Sequence, residues 1–178
     1  MMMRNMTATE GSTTERRTEV PFVLTRVLYA PRHLVFKTWT EPDHVRRWWG
    51  PRAFTTPFCK IDLRPGGLFH YCMRSAEGKD YWGRGLYREV IRPERLVYED
   101  SFSNEDGGIV APKQYGMSPD WPERTLTTIM FEDQDGQTRL TITGGVSEAL
   151  AKSQKADIGW NESLDRLAAY LAEIAPRK

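Results

Sequence analysis

Three histidines, two cysteines and a scatter of carboxylates are the residues of this chain that could move protons, attack a substrate or hold a metal. Their spacing argues against most of that chemistry. His33 and His44 stand among charged neighbours, in "PRHLVF" and "PDHVRR", and read as surface residues. His70 lies between Phe69 and Tyr71 in an alternating stretch, so it faces away from those rings. No Ser-His-Asp or Cys-His arrangement follows from the spacing. Cys59 and Cys72 share no local context, there is no C-x-x-C, and the histidines have no metal-ligand spacing. No metal, cofactor or catalytic residue is therefore assigned. Two reduced thiols suit a cytoplasmic protein. Asp62 and Arg64 share a strand face and are expected to pair beside "RPGG". The glycines of that turn are not a phosphate cradle, because no helix N-terminus follows them. Glu89 and Glu99 fall on strands and either could be a pocket acid, a role that needs a shifted pKa and a partner.

The aromatic residues carry a stronger signal. Phe69, Tyr71 and Met73 alternate on one strand face, Trp82 stands on the next strand, and Tyr87 and Tyr98 lie beyond it. Trp160 comes from a long C-terminal helix. Tyr115 and Trp121 belong to a long irregular segment, 103–123. Tyrosine hydroxyls favour a polar or wet partner, so a ligand cavity lined by these residues competes with a filled aromatic core. In "RRWWGP" one tryptophan can pack onto the sheet, while the next points about 100° further round a helix. Trp49 is assigned to the cavity rim, where an exposed indole also leaves room for a homodimer contact.

These residues need elements to position them. "VPFVLTRVLYA" (20–30) alternates as a strand. Pro31 begins a helix with Val35, Phe36 and Trp39 on one face. Thr40 and Asp43 read as the capping box of a second short helix, which Gly50-Pro51 ends. Six strands follow, at 53–63, 68–74, 80–91, 95–102, 124–133 and 138–144, with Gly83 and Gly85 suggesting a bulge or strong curvature. Segment 103–123 exceeds the usual loop length and holds Ile109, Val110, Tyr115, Met117 and Trp121, so it reads as a folded flap. From Ser147 to Ala175 one amphipathic helix carries Trp160, Leu164, Leu167 and Leu171 on its apolar side. Short connections make the six strands antiparallel, and the helix is the one element long enough to cover their face. The expected fold is α+β, a curved antiparallel sheet of about seven strands in β-α-α-β6-α order, wrapped on the C-terminal helix.

With 178 residues the chain suits a single domain, read as 18–178 with 103–123 as an insertion, after a polar tail at 1–17 that lacks an apolar signal-peptide core. A formal net charge of +1 gives no reason to expect nucleic acid or an anionic membrane as partner. No apolar run is long enough for a membrane-spanning helix.

The segments "APRHLVFKTWTEPDHVRRWWGP", "FTTPFCKIDLRPGG", "GRGLYREVIRPERLVY", "TLTTIMFEDQDGQTRLTI" and "GWNESLDRLAAYL" resemble the Activator of Hsp90 ATPase homologue 1-like family of the START-like, helix-grip superfamily. Together they span roughly residues 22–173 in the family's order. The resemblance implies the same β-α-α-β6-α chain around a cavity but brings no catalytic set. Some relatives bind apolar or aromatic small molecules, and some distant superfamily members are cyclases or hydrolases. The family name comes from a co-chaperone with a separate N-terminal domain that engages Hsp90. Only some 18 residues precede the first strand here, so Hsp90 is not the expected partner. The expected function is binding of a small hydrophobic or aromatic molecule. An enzyme using a cavity carboxylate or His70 is the alternative, and it requires an ionisable group facing the cavity. An interaction module, with an apolar patch outside the cavity, is the third reading.

Overall fold

The computed structural model describes residues 19–176; the polar stretch 1–17 lies outside the described residues. Residues alternating at period two form β1 (Pro21–Leu28), β2 (Thr55–Ile61), β3 (Leu68–Arg74), β4 (Asp80–Ile91), β5 (Arg95–Phe102), β6 (Thr125–Gln134) and β7 (Gln137–Ser147). They make one sheet in the order β1-β7-β6-β5-β4-β3-β2, antiparallel throughout. From β2 to β7 each strand lies beside its predecessor, as antiparallel neighbours in sequence favour. Between β1 and β2 run α1 (Arg32–Thr40) and α2 (Pro42–Trp48), which carry the chain from one sheet edge to the other.

Register decides which residues share the inner face. Phe69 pairs with Gly85 and Tyr71 with Gly83. Tyr87 pairs with Tyr98, and Gly85 with Asp100. Tyr98 and Asp100 then meet Thr127 and Thr125. Directly opposed residues point the same way, so this set lines one side of the sheet. The long helix α4 (Ala156–Ile174) buries Leu164, Leu167 and Leu171 in the core between sheet and helix. Arg26 of β1 fastens it, donating to Asp165 Oδ1 at 2.6 Å and Asn161 Oδ1 at 2.9 Å.

Three local expectations need correction. Thr40 does not cap α2. It is the last residue of α1, where its hydroxyl donates to the Phe36 carbonyl at 2.9 Å, and Glu41 stands in the cap position with Pro42 behind it. A proline at the first helical turn needs no donor partner, which removes much of the need for a side-chain cap. The bulge in β4 falls between Tyr87 and Glu89, not at Gly83 or Gly85.

The C-terminal helix is also two helices. α3 (Glu148–Ser153) is capped by Ser147, whose Oγ accepts from Leu150 N at 3.2 Å, and α4 restarts after Lys155 in the left-handed region at φ 57°. A side chain in that region is strained by about 1–2 kcal/mol. Lys155→Gly should relieve it and, after the added freedom of the unfolded chain is counted, raise stability by about 0.5 kcal/mol. Urea denaturation of the two proteins checks this.

Candidate functional site

The two tryptophans of "RRWWGP" are both buried. Trp48 is the last residue of α2, wholly enclosed, and its Nε1 donates to the Thr38 carbonyl at 2.9 Å. Trp49 lies past the helix end with an extended backbone, φ −61° and ψ 132°. The 100° helical step therefore does not apply between them. Trp49 swings onto the sheet, with its ring centroid 4.9 Å from Phe69 and 5.2 Å from Tyr71, and is 7% exposed. It is a core residue and not a rim residue, so a homodimer contact has no exposed indole at Trp49 to rest on. Three bonds from Arg166 Nη1, to the carbonyls of Trp49, Gly50 and Pro51 at 3.2, 2.9 and 3.1 Å, hold the turn after it.

The space between sheet and α4 is largely filled. Trp160 stacks on Trp39 at 6.1 Å and meets Trp49 edge-on at 5.6 Å. Trp49, Phe69, Tyr71, Tyr87 and Tyr98 belong to the buried core, and Met73 and Trp160 pack against it half-buried. Gly83 and Gly85 make room for this packing. A Cβ at Gly83 would run into the Tyr71 hydroxyl and ring, and one at Gly85 would come within 2.8 Å of Tyr98 Cδ2. Gly83→Ala should therefore cost about 1–3 kcal/mol, the usual range for overpacking, measured as a lower urea midpoint at unchanged slope.

On the inner face a cavity of about 70 Å³ stays open at the β5–β6 end, while a wider groove of about 420 Å³ lies on the outer face beside Lys60, His70 and Asp106. Tyr71, Asp100, Ser101, Phe102 and Thr125 line the inner cavity from the sheet, and Trp121, Pro122 and Glu123 from the loop above. Its volume holds about two waters. Of the ten residues expected to line a cavity, Tyr71 and Trp121 do so.

Trp82 lies on the opposite face of the sheet. It pairs with Cys72, and its ring packs with His70 at 5.1 Å and Phe58 at 5.3 Å. In β4 it alternates with Gly83, so the two residues cannot share a face. Tyr115 packs beside the cavity wall. It closes on Tyr81 at 5.6 Å and Phe102 at 5.4 Å, and its hydroxyl donates to the Ser103 carbonyl at 2.8 Å.

Segment 103–123 divides between the two faces. Its first part bridges Ser103 to Ile109 and lies on the outer face, where Arg84 Nη1 donates to the Gly107 carbonyl at 2.8 Å and His70 Nε2 lies 3.2 Å from the Asn104 carbonyl. Its second part makes a short 3-10 turn, Pro112–Tyr115, and ends over the cavity. From Ser118 to Glu123 its bonds are few and mostly local: Trp121 N to Ser118 O, Asp120 N to Ser118 Oγ, and one tie from Ser118 N to Gln154 Oε1 at 2.8 Å.

Asp100 is the carboxyl that the sheet places in the cavity, with Glu123 on the loop above. Burial pushes the Asp100 carboxyl up from 3.8 to about 7, against a lowering by a bond from the Ser101 backbone. Burial likewise raises the neighbouring phenols of Tyr71 and Tyr98, and the Tyr98 hydroxyl has no hydrogen-bond partner. The acids singled out from sequence are elsewhere. Glu99 faces outward, bonded to Arg88 at 2.9 Å and 3.4 Å from Arg124, and its pKa is lowered chiefly by the Arg88 bond. Glu89 pairs with Arg95 at 3.3 Å. Asp100 was readable from sequence: it stands two residues from Tyr98 in the same alternating strand, hence on the same face.

The other candidates have structural roles. Arg64 and Asp62 pair at 2.8 Å as expected. His44 is not a simple surface residue, since its Nδ1 lies 2.7 Å from the Tyr170 hydroxyl. Burial lowers the pKa of His70 and raises Cys59 to about 12 and Cys72 to about 11, so both thiols stay protonated and weakly nucleophilic. Among the described residues no group of three His, Cys, Asp or Glu could hold a metal ion, and no helix is long and apolar enough to cross a membrane.

A curved antiparallel sheet packed on a C-terminal helix defines a START-like helix-grip domain. The profile of the family described as Activator of Hsp90 ATPase homolog 1-like protein matches residues 29–172, and the chain belongs to that family. Solved structures of the same fold include a protein from Nitrosomonas europaea, 24% identical, covering 88% of this chain and 96% of its own at a TM-score of 0.71. A protein from Chromobacterium violaceum is 27% identical, with 88% and 97% covered and a TM-score of 0.67. The AHSA1 protein from Silicibacter pomeroyi is 22% identical, with 86% and 98% covered and a TM-score of 0.66. A comparison with curated proteins returned no match.

Proposed function

We propose that this chain is a small-molecule-binding protein whose site is the cavity at Asp100. The observation that carries the reading is a carboxyl placed on the inner sheet face among aromatic rings, without an ion-pair partner among the described residues, under a loop held by few bonds. A fold has no stability reason to bury such a group. The ligand is a flat, mostly apolar molecule with one polar end. Its polar end meets Asp100, and its body lies against Phe102 and Trp121. The present 70 Å³ is too small for a whole ligand, so Trp121, Pro122 and Glu123 move aside as it enters. Their bonding is mostly local, which keeps that motion inexpensive.

The test is thermal shift and tryptophan fluorescence against a panel of flavonoids, polyketides, sterols, fatty acids and aromatic amines. A ligand at 100 times its Kd stabilises the fold by about 2.7 kcal/mol, or several degrees. The expected result is a hit whose fluorescence response disappears in Trp121→Phe. Silence across the panel from folded protein contradicts the reading. Asp100 also meets the requirement of the enzymatic alternative for an ionisable group facing the cavity. That makes turnover of any ligand found the next assay.

A further inference from the structure

The cavity has a sign of charge as well as a shape. Two carboxylates, Asp100 and Glu123, and three aromatic rings, Tyr71, Phe102 and Trp121, stand around it, and no Lys, Arg or His does. The basic side chains nearest in sequence and register are engaged elsewhere. Arg124, between Glu123 and Thr125, turns to Glu99 on the outer face, and Arg88 does the same. The Tyr98 hydroxyl, on the same inner face as Asp100, is buried without a hydrogen-bond partner. A carboxylate in such surroundings lacks a counter-charge. Ring faces attract cations, and the attraction grows when water is excluded. A cationic N–H donor bonded to a carboxylate is stronger than a neutral pair.

Resting on the reading of this cavity as a ligand site, we infer that its ligand is a small organic cation, an amine whose ammonium group sits at Asp100 beneath Trp121. A neutral molecule of the same shape gains the ring contacts but supplies no counter-charge. An anion meets two carboxylates.

Three probes of one shape separate these cases: phenethylamine, phenethyl alcohol and hydrocinnamate, titrated by calorimetry at about pH 8, where Asp100 is ionised. The amine is expected to bind at least about tenfold more tightly than the alcohol, with no heat from the carboxylate. In Asp100→Asn the amine should fall to the level of the alcohol. Equal or tighter binding of the alcohol or the carboxylate overturns the cation assignment and leaves the ligand site standing. Binding of none of the three also overturns it, and the neutral members of the panel then decide the ligand site on their own. An amine preference that survives in Asp100→Asn overturns the role of Asp100.

Discussion

Asp100→Asn stabilises the fold at about pH 8 by on the order of 3 kcal/mol and has little effect at about pH 4. The carboxyl has an ordinary value of 3.8 in the unfolded chain and about 7 in the folded protein, because burial penalises its charged form. A raised folded pKa means that the folded state holds the proton more tightly. The stability this confers is complete below pH 3.8, falls as pH rises between the two values, and is gone above about 7. Asparagine keeps the shape of the protonated acid and has no proton to lose. Every other titrating group is common to both proteins. The difference between the two urea curves at each pH therefore isolates Asp100. Tyr71 and Tyr98, the neighbouring phenols, have pKa values pushed upward by burial and stay neutral throughout. A residue whose replacement strengthens the fold is one retained for another reason, which is the pattern of a functional site.

Trp48→Ala has the largest destabilising effect expected in the chain, about 3–5 kcal/mol from the lost indole alone. Trp48 is wholly buried, 4.8 Å from the Trp39 ring and 5.3 Å from Trp49. Its removal opens a hole beside the Trp39 and Trp49 indoles and strips the Thr38 carbonyl of its 2.9 Å bond. An unpaired buried carbonyl adds about 1–3 kcal/mol. Against a total stability of about 5–15 kcal/mol, this variant is partly or wholly unfolded at room temperature. Trp48→Phe keeps a ring in place and loses the bond, so it should remain folded with a lower urea midpoint. If Trp48→Ala proves as stable as the parent, Trp48 is not part of the core.

The strands were legible because β-structure writes itself into alternation, and the hydrophobic pattern of 20–30 or 68–74 has one solution. The break between α3 and α4 was not, since it rests on a left-handed lysine and no glycine or proline marks it. The fate of the double tryptophan was half legible. Burying both indoles depends on α2 ending between them, and helix ends are the least determined part of a sequence reading. Trp82 was assigned to the wrong face although alternation with Gly83 in β4 already opposed it to the inner residues. Gly83 and Gly85 leave room for the Tyr71 and Tyr98 rings, a contact between strands that no local pattern encodes. Asp100 follows from alternation with Tyr98 once β5 is placed, and Glu99, one residue before it, takes the outward position. How little space the packed indoles leave open depends on three-dimensional packing, which spacing does not reveal.

Asp100 is a half-buried carboxyl kept without a counter-charge, among the described residues, in a site open to a ligand. Carbon-13 NMR titration of the Asp100 carboxyl in the intact protein, assigned with Asp100→Asn, tests this most directly. The midpoint is expected near 7 in the free protein, with a clear fall when a bound amine supplies the missing charge. A midpoint near the ordinary 3.8 would mean that Asp100 is solvated or already paired, and would contradict the assignment of this cavity as the binding site.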